Sequence, residues 1–117
     1  MTYEIVNERT GEVIAAKAAL LAGPLARMKG LLGRSGLDQD EAVILRPCAS
    51  LHTAFMRFNL DVVFLDKQGR VLKVARDLRP FRMTSKWGAH DAIEMAAGAL
   101  TSQLSLGDRL LIRPNAV

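Results

Sequence analysis

The chain has one cysteine, Cys48, so it holds no internal disulfide, and a lone thiol fits a reducing compartment. It also has no long apolar run. The longest candidate, residues 15–25, contains Lys17, Gly23 and Pro24, and falls well short of the roughly 20 residues that cross a bilayer. Residues 1–8 lack a positive segment leading into an apolar one, so no secretory signal is read and the cytoplasm is the expected location. Aromatic residues make up only 5% of the chain, which gives little support to a nucleic-acid reader built on stacked rings. No glycine-rich phosphate loop follows a strand, because Gly30, Gly33 and Gly36 read as the end of a helix, and this argues against nucleotide binding. Internal repeats, low-complexity tracts and linker-like stretches are absent from the sequence.

What remains is a folding composition. Half of the 117 residues are hydrophobic and 24% are charged, far from the regime of disordered chains, and a chain of this length buries roughly two-thirds of its unfolded surface. One domain spanning residues 1–117 is expected. Residues 3–6 and 12–15 read as short strands around a glycine-containing loop, and residues 42–45 as a buried strand. Residues 18–32 read as a short helix, with Leu21, Leu25, Met28 and Leu32 on one face, its regular part beginning near Gly23 and ending at Gly30 to Gly33. The clearest local signal is a hairpin. Residues 61–66 and 70–74 flank Lys67-Gln68-Gly69, where Gly69 suits the left-handed position of a three-residue loop. Unbroken apolarity from Val62 to Leu65 predicts a central strand pair with both faces covered, Val63 and Leu65 on one and Val62 and Phe64 on the other. Residues 91–95 and 109–113 are further strands, the last preceded by a Gly107-Asp108 turn, and residues 78–89 read as a long loop.

Charge is placed unevenly. The net charge is +4, but the window 67–86 sets seven cations against Asp77 and carries +6, leaving −2 for the rest. Clustered positive charge concentrates anionic partners, although cations on a hairpin edge also block edge-to-edge association.

Three segments, Gly30-Leu31-Leu32-Gly33-Arg34, the run from His52 to Asp66, and Ile93-Glu94 with Ala97-Gly98, are followed by Leu106-Gly107-Asp108. In that order they resemble the bacterial and archaeal family catalogued as domain of unknown function 192, over roughly residues 14–113. Met56 and Asp61 are five apart, as in its shorter-spaced branch, and Ala96 stands where many relatives have a turn proline. The resemblance implies a compact, β-rich α+β domain, with a curved, partly closed sheet and one or two short helices. It implies no reaction.

Polar groups inside apolar runs need partners, and these carry whatever chemistry there is. His52 with Asp61 or Glu94 would form an acid–base pair if the fold brought them together. Cys48 and His52, four apart, lack enough companions for a closed metal site, since His90 is the only other histidine. Nothing around Cys48 would activate a thiolate. No metal or cofactor is expected. Arg57 is expected to pair with Asp61 across a tight turn, and Glu94 with Arg46 or Arg57, as structural ion pairs. The surface of His52, Arg57, Arg79, Phe81, Arg82 and Trp87, with Glu94 nearby, is the candidate ligand face, unless Phe81 and Trp87 fold back to cap the core. These signals favour a binding or accessory module without catalysis, taking an anionic small molecule or an acidic protein surface. The alternatives are an enzyme using His52 with Asp61 or Glu94, and a nucleic-acid-binding module.

Overall fold

The computed structural model describes residues 2–23, 36–54, 56–100 and 103–115. Within them the strands are β1 (Tyr3–Asn7), β2 (Val13–Ala22), β3 (Glu41–Arg46), β4 (Ser50–His52), β5 (Leu60–Leu65), β6 (Val71–Leu78), β7 (Met83–Ser85), β8 (Asp91–Ala96) and β9 (Leu110–Pro114). Seven of them form one sheet in the order β6-β5-β8-β3-β2-β1-β9, and β4 and β7 form a separate two-stranded ribbon. All pairings are antiparallel except β2 with β3. The large sheet curls into a half-barrel whose two ends approach each other. Arg70 bridges to Arg109, the Leu110 amide donates to the Gly69 carbonyl at 2.8 Å, and the Val71 amide donates to the Asp108 carbonyl at 2.8 Å.

The fold class therefore differs from the α+β expectation: the domain is all-β, with no helix among the described residues. Residues 18–22, read as the start of a helix, belong instead to β2, which pairs with β1 on one side and runs parallel to β3 from Lys17↔Glu41 to Ala22↔Arg46. Helix propensity separates Ala and Leu from strand-forming residues by only a few tenths of a kcal/mol each. A strand held by ladders on both edges, with Ile14, Ala15 and Ala18 buried, outweighs that preference. Residues 24–35, the rest of the expected helix and its glycine cap, lie outside the described residues. The expected loop 78–89 contains β7, and β4 before it was not read at all.

The two-sided hairpin is present. Val63 and Leu65 point into the curl beside Ile5, Ile44, Ile93 and Met95, while Val62 and Phe64 join Val43, Leu45 and Ala92 on the outer face. Only β5 is central, since β6 ends the strand order. Asp66 Oδ1 accepts from the amides of Gln68 and Arg70, each at 2.9 Å, and Gly69 adopts φ +82°. A side chain at Gly69 would meet strain twice, because a Cβ there would lie 2.7 Å from the backbone oxygen of Leu110. Gly69→Ala is expected to cost roughly 2 kcal/mol, read as a shift in urea midpoint at unchanged slope; a parent-like midpoint would mean that the hairpin and β9 separate freely. The turn before β9 is anchored too. Arg9 donates to both oxygens of the buried Asp108, at 2.7 and 2.9 Å, and with the Ser105 amide it holds that carboxyl well below the usual carboxylate range.

Candidate binding surface

On the outer face of the sheet the β4–β7 ribbon packs through Leu51, alongside Leu37, Met56 and Phe58, and a buried threonine fastens the loop that leads into β7. The Thr53 amide donates to the Arg82 carbonyl at 2.8 Å, the Arg82 amide donates to Thr53 Oγ1 at 2.9 Å, and Thr53 Oγ1 donates to the Arg79 carbonyl at 2.6 Å. The Phe81 amide donates to the Thr53 carbonyl at 3.1 Å, and Phe81 is held at φ +59°, a region costly for a residue with a side chain. Beyond this fastening β7 pairs with β4 as Ser50↔Ser85, Leu51↔Thr84 and His52↔Met83.

Strand alternation then divides the ribbon. Leu51 packs on the outer-face cluster and Thr84 is buried, with its hydroxyl unpartnered, whereas His52, Met83 and Ser85 face outward. The Lys86 amide donates to the Ala49 carbonyl, and the Ala89 amide to the Lys86 carbonyl, closing a turn with Trp87 and Gly88 at its tip. Phe81 is 66% exposed, Met83 72% and Trp87 94%, so the aromatic pair does not fold back to cap the core. Arg79, Arg82 and Lys86 are exposed beside them, Lys73 reaches over from β6 to donate to the Ser85 carbonyl at 3.0 Å, and no acidic residue occurs between Asp77 and Asp91.

The candidate acid–base groups are not brought together. His52 is exposed on the outer face of the ribbon. Asp61 and Glu94 lie on neighbouring strands, but Asp61 shares the parity of Val63 and so faces into the curl, whereas Glu94 shares the parity of Ala92 and faces outward. The expected ion pairs are not those formed either. Arg57 is exposed and has no carboxylate partner among the described residues. Arg46 makes a two-point contact with Asp91, at 2.9 and 2.8 Å, and His90 Nδ1 lies 2.8 Å from the same carboxylate. Asp61 accepts from two backbone amides, those of Asp77 at 2.9 Å and Gly98 at 3.1 Å. It forms the floor of an open cleft of about 410 Å³ shared with Arg76, Asp77, Ala97 and Gly98.

Glu94 is the outlier. It is 7% exposed, sits in register between Val43 and Val62, and has no hydrogen-bond or ion-pair partner among the described residues. Burial pushes its carboxyl up from 4.5 to about 7. Cys48 is buried, with its thiol 3.3 Å from the Ser50 carbonyl. No cluster of three or more potential metal-ligating side chains, and no helix long and apolar enough to cross a membrane, occurs among the described residues. Sequence reasoning missed Met83, for which the period-two exposure of β7 is the signal, and Thr53, whose role depends on a loop 26 residues away.

The family model of DUF192, described as Uncharacterized ACR, COG1430, matches residues 5–112. No curated protein matches the chain. Two solved structures are similar to it. A protein of unknown function from Novosphingobium aromaticivorans superposes with a TM-score of 0.80 at 20% identity, over 95% of this chain and 84% of that one. A protein from Sinorhizobium meliloti described as a "putative transcription regulator" gives a TM-score of 0.80 at 18% identity, over 94% of this chain and 91% of that one. At these identities the likeness is one of fold.

Proposed function

The chain belongs to the DUF192 family, and from that premise we propose that it is a single-domain binding module, without catalysis, that engages an anionic partner through the outer face of the β4–β7 ribbon. The observation that carries this reading is the composition of that face. Three large apolar side chains stand exposed among Arg79, Arg82 and Lys86, with no acid between Asp77 and Asp91, while the other side of the ribbon turns Leu51 and Thr84 inward and Thr53 ties the 79–82 loop. An exposed patch of rings and cations suits a partner that is both charged and partly apolar or planar. His52, paired with Met83 across the ribbon and exposed on the same side, extends its polar margin, whereas Arg57 is exposed on the loop between β4 and β5. The single reduced thiol Cys48 is consistent with work in the cytoplasm.

A second form of this reading is a nucleic-acid partner. It is favoured by the rings of Phe81 and Trp87 beside the cations, and agrees with the regulator description attached to the Sinorhizobium structure. Trp87 is the sole tryptophan, so its emission reports directly on the surface. Titration with inorganic phosphate, nucleotides, acidic peptides and short oligonucleotides should change that emission for at least one anion, less so as salt rises, and the response should be lost in Arg79→Ala/Arg82→Ala. Silence toward every anion would remove the basis for an anionic partner.

A further inference from the structure

Resting on that reading, we infer that the partner surface is an anionic phospholipid bilayer, with Phe81, Met83 and Trp87 entering the headgroup region and Arg79, Arg82 and Lys86 contacting lipid phosphates. The apolar side chains protrude instead of lining a groove. Trp87 stands at the tip of the Lys86–Ala89 turn, Met83 on the outward face of β7, and Phe81 in the turn just before that strand, so the three exposed side chains fall in one row along the chain, spanning at most about 20 Å. A protein partner would need a matching socket for each protrusion. A bilayer interface accepts isolated protrusions, and it favours tryptophan at headgroup depth.

Charge and side-chain type point the same way. Cations flanking the row, with no acid between residues 77 and 91, complement the negative leaflet surface at the depth where arginine and lysine side chains reach phosphates. Met83, at the middle of the row, is aliphatic. It has no flat face for a nucleobase to stack on, whereas its flexible apolar side chain can enter a headgroup layer, and this favours the bilayer over single-stranded nucleic acid.

The test is sedimentation of the whole chain with vesicles of phosphatidylglycerol mixed into phosphatidylcholine, compared with phosphatidylcholine alone, while Trp87 emission is followed. The expected result is binding to the mixed vesicles only, with a blue-shifted emission quenched by brominated acyl chains and an affinity that falls as salt rises. Arg82→Gln and Lys86→Gln should each weaken binding about fivefold. Trp87→Ser and Met83→Ser should nearly abolish it while melting like the parent, since both side chains are already in solvent. No binding, or equal binding to neutral vesicles, would overturn the lipid assignment. If oligonucleotides or acidic peptides shift Trp87 emission and vesicles do not, the lipid assignment falls and the anionic-partner reading stands; if nothing anionic binds, both fall.

Discussion

Glu94→Gln should raise the melting temperature by roughly 10 °C at pH 8 and leave it nearly unchanged near pH 4. The carboxyl titrates near 4.5 when the chain is unfolded and near 7 when it is buried between Val43 and Val62. Between those values the folded state holds a proton that the unfolded state has released, so stability falls as pH rises from about 4.5 to about 7 and is level above. The full difference is about 3 kcal/mol in favour of the neutral side chain, and glutamine keeps the shape while staying neutral at every pH. Comparing parent and variant at each pH cancels the titration of all other groups, which makes the gap between the two melting curves the quantity to read. A gap that is absent, or constant from pH 4 to pH 8, would mean that the folded protein keeps Glu94 hydrated or paired. The opposite sign, with the variant less stable at pH 8, would mean that the carboxylate has a cationic partner.

Glu94 also shows how far a sequence carries. Its apolar neighbours Ile93 and Met95 marked it as a group needing a partner if it pointed inward; the strand instead turns it to the outer face of the sheet, where it is buried all the same. The partner does not follow from sequence, because pairing depends on which elements the sheet sets side by side. Arg46, the candidate for Glu94, meets Asp91 45 positions away. Strands with strong local signals were legible: the β5–β6 hairpin from its continuous apolar run and Gly69, and β1, β3, β8 and β9 from short β-rich segments bounded by turns. β2 was half read, since its second half is alanine and leucine and only its flanking strands make it extended. The ribbon strands β4 and β7 were illegible, at three residues each, because their pairing is set by Thr53 gripping the 79–82 loop and not by local preference. Even so, the cationic and aromatic content of residues 79–87 was visible in the sequence, and the structure adds that the rings face solvent.

Asp61→Ala should destabilise the domain by about 3–5 kcal/mol, enough to lower the melting temperature by well over 10 °C. The cause is a bulge. Leu60 pairs with Leu78 and Val62 with Ala75, so Arg76 and Asp77 together oppose the single residue Asp61, and Asp77 takes a left-handed φ of +53°. The bulge turns the Asp77 amide out of the ladder, and the Asp61 carboxylate takes it up through Oδ1 while Oδ2 takes the Gly98 amide from the turn after β8. One buried side chain thus ties three strands together at the mouth of the curl, and alanine would leave both amides without an acceptor. Asn at this position can accept from only one of them, so Asp61→Asn should fall between alanine and the parent. A structural origin makes a further demand: well below its own melting temperature, Asp61→Ala should still show the parent's Trp87 response to anions, because Thr53 fastens the ribbon on the opposite face of the sheet. Loss of that response in a folded Asp61→Ala variant would move the binding surface from the ribbon to the cleft around Asp61, Arg76 and Gly98.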